Sequence, residues 1–187
     1  MKPLILLATL LLSLTATSLI AQTFEQKGPS KMPYNTATQE FQYTGTITQD
    51  SVGKNVLMVR AERWFKTFYK NPSSVIKEKT DSSIVGKYQF NIFNTSTGNK
   101  LSSGFVHYTF KITCRDNQYT YNVTRINLKS ASYFGIENWL TPKNKKEEKN
   151  SAEYFEQIAE HLTNLESHLK EVMSAKATEG VQKIITD

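Results

Sequence analysis

Three runs of alternating apolar and polar residues follow one another between residues 84 and 128, separated only by short polar segments. Alternation with a period of two is the pattern of a half-buried β-strand. The segment 94–99 and the pair Asp116 and Asn117 have turn chemistry, and both are short enough to connect neighbouring strands as hairpins. The sequence therefore predicts three consecutive antiparallel strands, at residues 84–93, 105–115 and 118–128.

The last of these runs contains a break in its alternation. Its apolar residues change parity between Val123 and Ile126. One extra residue in a strand produces such a change, so the pattern predicts a β-bulge near Thr124 and Arg125.

A strand and a helix are predicted ahead of the hairpins. Residues 41–48 alternate as a first strand, and a short strand is predicted at 74–79. Across 55–69 the apolar residues recur at spacings of three and four, which indicates a helix with one core-facing surface. Asp50 and Ser51 are suitable residues to cap the start of this helix.

A second helix is predicted at residues 151–174, where an apolar stripe recurs every three or four positions. The stripe consists of Phe155, Ile158, Leu162, Leu165, Leu169 and Val172. We favour a helix that lies across its own sheet, because the apolar sheet face needs a cover. A coiled-coil contact with a partner or a homodimer through this helix is the alternative.

The element order β-α-β-β-β-β-α predicts an α+β fold, in which a mostly antiparallel sheet of four or five strands carries both helices on one face. At the start of the chain, Lys2 precedes an apolar stretch that is too short to span a bilayer and ends in small residues before Ala21. This is the pattern of a secretory signal peptide cleaved near Ala21, so we expect an exported protein, periplasmic or secreted, whose mature form has no transmembrane segment. The predicted segments are a signal peptide (1–21), a flexible leader (22–38), the α+β core (39–128), a connecting loop (129–150), and the C-terminal helix and tail (151–187).

The polar face of the predicted sheet is rich in threonine and amides and carries no carboxylate. Glycosidases need paired acids, and general acid–base catalysis usually needs at least one, so this face favours binding over catalysis. We predict a ligand-binding surface there, formed by Lys87, Gln89, His107, Lys111 and Arg115. The predicted function is that of an exported, non-catalytic protein that binds another envelope protein or a polar ligand such as a glycan.

Signs of other chemistry are weak. His161 and His168 are seven residues apart on the second helix, which is too far for a metal pair, and no catalytic or cofactor motif occurs, so we predict no metal and no cofactor. Cys114, the only cysteine, lies on the apolar strand face and is expected to pack as a small hydrophobe. Although the net charge is +6, the aromatic residues lie on the apolar face, and we do not expect nucleic-acid binding.

Two alternatives remain for the function. The aromatic residues between sheet and helices could line a pocket for a small apolar ligand, although a closely packed core uses the same residues. An enzyme of an unrecognised type is the less favoured alternative.

Three segments of the core resemble a known family. They are Tyr43-Thr44-Gly45-Thr46-Ile47, Ala61-Glu62-Arg63-Trp64-Phe65 and Asp116-Asn117-Gln118-Tyr119. Together they resemble domain-of-unknown-function family 4468, which implies a TATA-binding-protein-like (TBP-like) fold and an exported bacterial protein. The resemblance implies no activity, cofactor or site residue, and the name of the fold refers to its shape.

Overall fold

The computed structural model of the chain describes residues 23–95, 98, 100–129 and 133–174. The predicted signal peptide at residues 1–21 and the predicted tail after residue 174 lie outside the described residues. In chain order the strands are β1 (Phe24–Lys27), β2 (Met32–Asn35), β3 (Glu40–Phe41), β4 (Tyr43–Thr48), β5 (Ile76–Lys79), β6 (Ser83–Asn94), β7 (Leu101–Arg115), β8 (Gln118–Leu128) and β9 (Phe134–Gly135). The helices are α1 (Lys54–Phe68), the single turn α2 (Pro72–Val75), a 3₁₀ helix (Ile136–Leu140) and α3 (Lys145–Ser174).

The main sheet has the strand order β4-β8-β7-β6-β5, and the short β9 pairs with β8. All of its pairings are antiparallel, as the hairpin spacing predicts. The α+β fold and its element order are therefore confirmed, with both long helices on one face of the sheet. The short strand predicted at 74–79 begins two residues later, because Pro72–Val75 forms a helical turn.

The predicted bulge is present in β8. His107 of β7 lies opposite Asn127, whereas Thr109, only two residues further, lies opposite Thr124. The extra residue on β8 is accommodated by a left-handed backbone at Arg125, with φ of 54°. As a result, both Thr124 and Arg125 lie between the buried residues Val123 and Ile126.

Helix α1 packs closely on the centre of the apolar sheet face. Trp64 and Phe65 are fully buried, and the Trp64 ring lies 4.7 Å from the ring of Phe110 on β7. Gly86 of β6 permits this approach, because a Cβ at that position would lie 2.7 Å from the Phe65 ring. The helix begins differently from the prediction: its N-cap is Gly53, and Asp116 of the distant β7–β8 turn accepts a hydrogen bond from the Lys54 backbone N–H at 2.7 Å. The predicted cap at Asp50 and Ser51 is therefore wrong.

Helix α3 lies across the same face, which confirms that its stripe belongs to the core of its own chain. It begins at Lys145 instead of residue 151, because the Asn144 side chain accepts hydrogen bonds from the backbone N–H groups of Lys146 and Glu147. The stripe is buried as predicted, except that Met173 is the last buried residue and Val172 is only partly buried. A homodimer through this stripe would therefore require the domain to open.

A second, three-stranded sheet occupies most of the predicted flexible leader. Its strand order is β1-β2-β3, and Met32 and Tyr34 of β2 are buried. Phe41 of β3 packs edge-on against both Tyr34 and Phe155 of α3, with ring centroids 5.3 and 5.4 Å apart. The leader prediction is wrong for β1 and β2, since this segment forms paired strands that are held against α3 through β3. The predicted connecting loop is also partly ordered, by β9, the 3₁₀ helix and the first residues of α3.

Candidate functional site

The polar face of the main sheet stays open along most of its length. The strand pairings place its side chains in rows, one of which runs from Thr46 through Thr120 to Thr113. A neighbouring row runs from Thr44 through Asn122 to Lys111. The side chains of Thr44, Thr46 and Lys111 are exposed. No described element covers these rows, in contrast to the helix-covered opposite face.

One predicted member of this face is buried instead. Gln42, at the break between β3 and β4, is only 7% exposed. Its side-chain oxygen accepts a hydrogen bond from Asn35 at 3.0 Å, and its side-chain nitrogen donates to Asn122 at 2.8 Å. Gln42 therefore fastens the small sheet to the main sheet and is not available to a ligand.

A depression of about 430 Å³ lies where the small sheet meets this polar face, and we call it the central depression. Four elements contribute to it: β3, β6, β7 and the bulged part of β8. Its polar lining consists of Glu40, Lys87, His107, Thr109, Arg125 and Asn127. The Tyr133 ring, which is 62% exposed, lies at the same depression.

The predicted site residues divide into three groups. Lys87 and His107 line the central depression, and together with Gln89 they also line an adjoining hollow of about 330 Å³. Arg115 lines a separate hollow of about 220 Å³ with Thr113, Gln118 and Thr120. Lys111 is exposed on the face between them and lines neither hollow. The structure thus brings together Lys87, Gln89 and His107 of the five.

Sequence reasoning left out most of the lining residues, among them Glu40, Arg125 and Tyr133. Arg125 could have been found from the predicted bulge, because an extra residue turns the following side chain towards the other face. Glu40 and Tyr133 follow from tertiary packing, since β3 is held by β2 and Tyr133 directly precedes β9. The polar face is therefore not free of carboxylates, as Glu40 stands at its margin.

The charges around the central depression have no ion-pair partners among the described residues. The ion pairs among the described residues join Glu25 to Lys27, Lys54 to Asp81, Glu62 to Lys79 and Glu166 to Lys170. None of them involves Lys87, Arg125 or Glu40. The depression therefore presents two cations and one carboxylate that form no ion pair with any residue the structure describes.

His107 adds a polar atom without a partner. Its Nε2 is buried and has no hydrogen-bond partner among the described residues. Burial lowers the pKa of His107, and the nearby Lys129 ammonium lowers it further. The imidazole is therefore held neutral beside the cations, and it can either donate or accept a hydrogen bond.

The apolar face holds a different histidine in a closed network. The His161 Nε2 lies 3.1 Å from the Tyr108 hydroxyl, which in turn lies 3.1 Å from the Tyr69 hydroxyl. The His161 ring stacks on Phe90 with centroids 3.9 Å apart, and burial lowers its pKa to about 4. His168 instead packs against the Phe68 ring at 5.4 Å. The two helix histidines thus serve packing of α3 on the sheet and on α1.

The single thiol and the arrangement of potential metal ligands give no sign of a catalytic or metal site among the described residues. Cys114 is fully buried, and burial raises the pKa of its thiol to about 11, so it is held protonated. Within residues 23–95, 98, 100–129 and 133–174, no three His, Cys, Asp or Glu side chains lie close enough together to hold a metal ion.

Aromatic rings fill the space in which an apolar ligand would lie. Trp64 contacts Phe65, Phe68, Tyr69 and Phe110, with centroid distances between 4.7 and 5.5 Å. The contacts continue from Tyr69 to Tyr88 at 4.8 Å. These rings pack closely against one another, and the depressions described above open to the surface instead.

Comparisons with known proteins agree with this architecture. Residues 43–129 match the family model described as a domain of unknown function (DUF4468) with TBP-like fold. The chain carries a DUF4468 domain. The resemblance seen in the sequence is thereby confirmed, and the match covers β4 through β8, including seven of the nine residues that line the central depression.

Two solved structures share the fold. A DUF4468 family protein from Bacteroides ovatus ATCC 8483 has a TM-score of 0.57 and 14% identity, over 75% of this chain and 90% of that one. A TBP-like protein from Parabacteroides distasonis ATCC 8503 has a TM-score of 0.55 and 13% identity, over 72% and 92%. A search of the curated proteins found no match to this sequence. Among the described helices of the DUF4468 chain, none is long and apolar enough to cross a membrane.

Proposed function

We propose that this chain is an exported, non-catalytic binding protein that holds an envelope partner or a polar ligand on the polar face of its sheet. The observation that carries the proposal is the central depression: an uncovered hollow of about 430 Å³ whose charges have no ion-pair partner in the described part of the chain. A concave polar surface with a few convergent side chains is the usual form of a ligand site. The other surface considered for binding, the stripe of α3, is buried in the domain.

The absence of catalysis in this proposal rests on the site's own residues. Glu40 is the one carboxylate in the central depression, so a pair of acids for glycoside hydrolysis is missing there. His107 has Gln89 and Asn127 as its cross-strand neighbours, and neither of them is a nucleophile or a carboxylate that could orient the ring. These groups are suited to donating and accepting hydrogen bonds.

The binding proposal is tested by filling the depression. The protein is purified without denaturation from the envelope fraction of the cells that make it and weighed by native mass spectrometry. Thr109 lines the depression and Thr46 lies two rows away on the same face, so Thr109→Trp is the test and Thr46→Trp the matched control. We expect a bound mass in the wild type and in the control that Thr109→Trp loses. Equal bound mass in all three proteins, or none in the wild type, would contradict the proposal.

Export is tested separately, from the mass of the mature chain. We expect the N-terminus to lie near Gln22 and the protein to fractionate outside the cytoplasm. Recovery of an intact chain that begins at Met1 from the cytoplasm would sink this part of the proposal and leave the binding surface unaffected.

A further inference from the structure

The bulge in β8 has a specific consequence for the central depression. Thr124 lies on the polar face, so in a regular strand the next residue, Arg125, would lie on the apolar face beneath the helices. The extra residue instead gives Arg125 a φ of 54°, and its exposed side chain lines the depression. A left-handed backbone is unfavourable for a residue with a long side chain, and such strain is concentrated at functional sites. Regular alternation would place position 125 on the buried face. The bulge instead places the Arg125 guanidinium on the polar face, at the depression.

The charge balance of the depression is positive. Lys87 and Arg125 line it, whereas Glu40 is the one acid in the lining. The Lys129 ammonium lies near enough to His107, another lining residue, to lower its pKa. Guanidinium groups match the planar geometry of a carboxylate or the oxygens of a phosphate and bind either with two parallel hydrogen bonds. An oxyanion is therefore the charged group that this site fits.

The remaining lining fits the rest of a sugar. Thr109, Asn127 and Glu40 supply a hydroxyl, an amide and a carboxylate, all of which hydrogen-bond readily to ring hydroxyls. The Tyr133 ring is 62% exposed and offers an aromatic face on which the C–H groups of a pyranose can pack. Glu40, Glu137 and Arg125 all act on the Tyr133 hydroxyl electrostatically, so this ring lies close to both signs of charge.

We infer that the central depression binds an acidic sugar, with its carboxylate or phosphate on Arg125 and Lys87 and its hydroxyls on Glu40, Thr109 and Asn127. The inference rests on the proposed function, since it names the ligand class of the same site. It requires no reaction and no cofactor.

The test is calorimetric titration of the purified mature protein with glucuronate, glucose 6-phosphate, glucose and inorganic phosphate. We expect both acidic sugars to bind at least tenfold more tightly than glucose or phosphate alone. Arg125→Gln removes the charge and should weaken the acidic sugars at least tenfold. The matched control is Lys111→Gln, which removes a cation from the same face outside the depression and should leave the affinities unchanged.

Each other outcome overturns the inference in a distinct way. Equal binding of glucose and glucuronate would show that the site does not recognise the anionic group. Equal binding of phosphate and glucose 6-phosphate would show that it does not recognise the sugar. Equal losses in Arg125→Gln and Lys111→Gln would show that the affinity comes from diffuse charge. If no acidic sugar binds while Thr109→Trp still releases the mass found by native mass spectrometry, the ligand class is wrong and the proposed function stands. If the bound mass is also indifferent to Thr109→Trp, both fail.

Discussion

Phe110 and Lys111 are neighbours in β7, yet they face opposite sides of the sheet and differ in almost every physical respect. Phe110 is fully buried between Trp64 and Phe65, and each of these rings contacts further aromatic rings. Lys111 is exposed and has no ion pair among the described residues. On one face the side chains pack closely against one another, and on the other face they stay open to solvent. Stability should therefore depend on the apolar face, whereas binding should depend on the polar face.

The largest expected effect tests this division directly. Phe110→Ala should lower the free energy of unfolding by about 3–5 kcal/mol, because it removes a large buried ring and leaves a cavity. Lys111→Ala, one residue away, should change it by less than about 0.5 kcal/mol. Urea denaturation followed by circular dichroism measures both. Similar losses in the two variants would mean that the polar face is part of the stabilising core.

The histidines of the two faces should differ in their effect on pH stability. Burial lowers the pKa of His161 to about 4 from 6.5, so below pH 6.5 the unfolded chain takes up a proton that the folded chain refuses. Stability should fall as the pH drops from about 6.5 to about 4, and the full shift corresponds to about 3 kcal/mol. His161→Gln keeps a hydrogen-bonding group near Tyr108 and removes this titration.

The measurement is the unfolding free energy of the wild type minus that of the variant, taken at several values between pH 4 and pH 7. The difference cancels the carboxylates that titrate in both proteins. His107→Gln on the polar face provides the comparison, and a smaller change in slope is expected because its ring lies on the open face, whereas the His161 ring stacks on Phe90 beneath α3. An equal slope in wild type and His161→Gln would refute the buried, neutral state of His161.

The close approach of α1 to the sheet gives the next effect in size. Gly86→Ala would place a Cβ 2.7 Å from the Phe65 ring and 3.2 Å from Val75, so we expect a loss of about 1–3 kcal/mol from overpacking. Phe65→Leu in the same chain should make the Gly86→Ala change less costly, since it removes the atoms that clash. Thermal unfolding of the two single variants and the double variant measures this coupling. Additive losses would show that Gly86 is required for another reason.

The element order could be predicted because the signals for it are local. Alternation in β6, β7 and β8 is broken clearly only at the bulge of β8, and turn residues separate the strands, so their order and antiparallel pairing follow from the local sequence. The small sheet was missed because β1 and β2 are only four residues long, and the sheet contacts the rest of the domain through Phe41 of β3, whose partner Phe155 is over a hundred residues away. The cap of α1 was missed for the same reason, since Asp116 comes from the far end of β7.

The site divides along the same line. Lys87 and His107 were found because strand alternation fixes the face of each residue. Glu40 and Tyr133 flank the sheet, and their approach to the depression depends on packing between segments that are distant in the chain. Arg125 is intermediate: the change of parity that revealed the bulge also contained the direction of its side chain.

The smallest expected effect separates strain from stability at that bulge. Arg125→Gly would relieve a left-handed backbone that costs an L-residue about 1–2 kcal/mol, and the greater freedom of glycine in the unfolded chain would return about 0.5–1 kcal/mol. We expect a stability unchanged or up to about 1.5 kcal/mol higher, together with loss of acidic-sugar binding. Asn117→Gly is the matched control, because Asn117 has a φ of 62° in the β7–β8 turn, away from the depression. It should keep binding intact.

A variant that is more stable and no longer binds is the result expected if the polar face retains Arg125 for its ligand at the expense of the fold. A marked loss of stability in Arg125→Gly would instead assign the guanidinium a structural role, and the depression would then be a solvated surface on which Arg125 is not kept for a ligand.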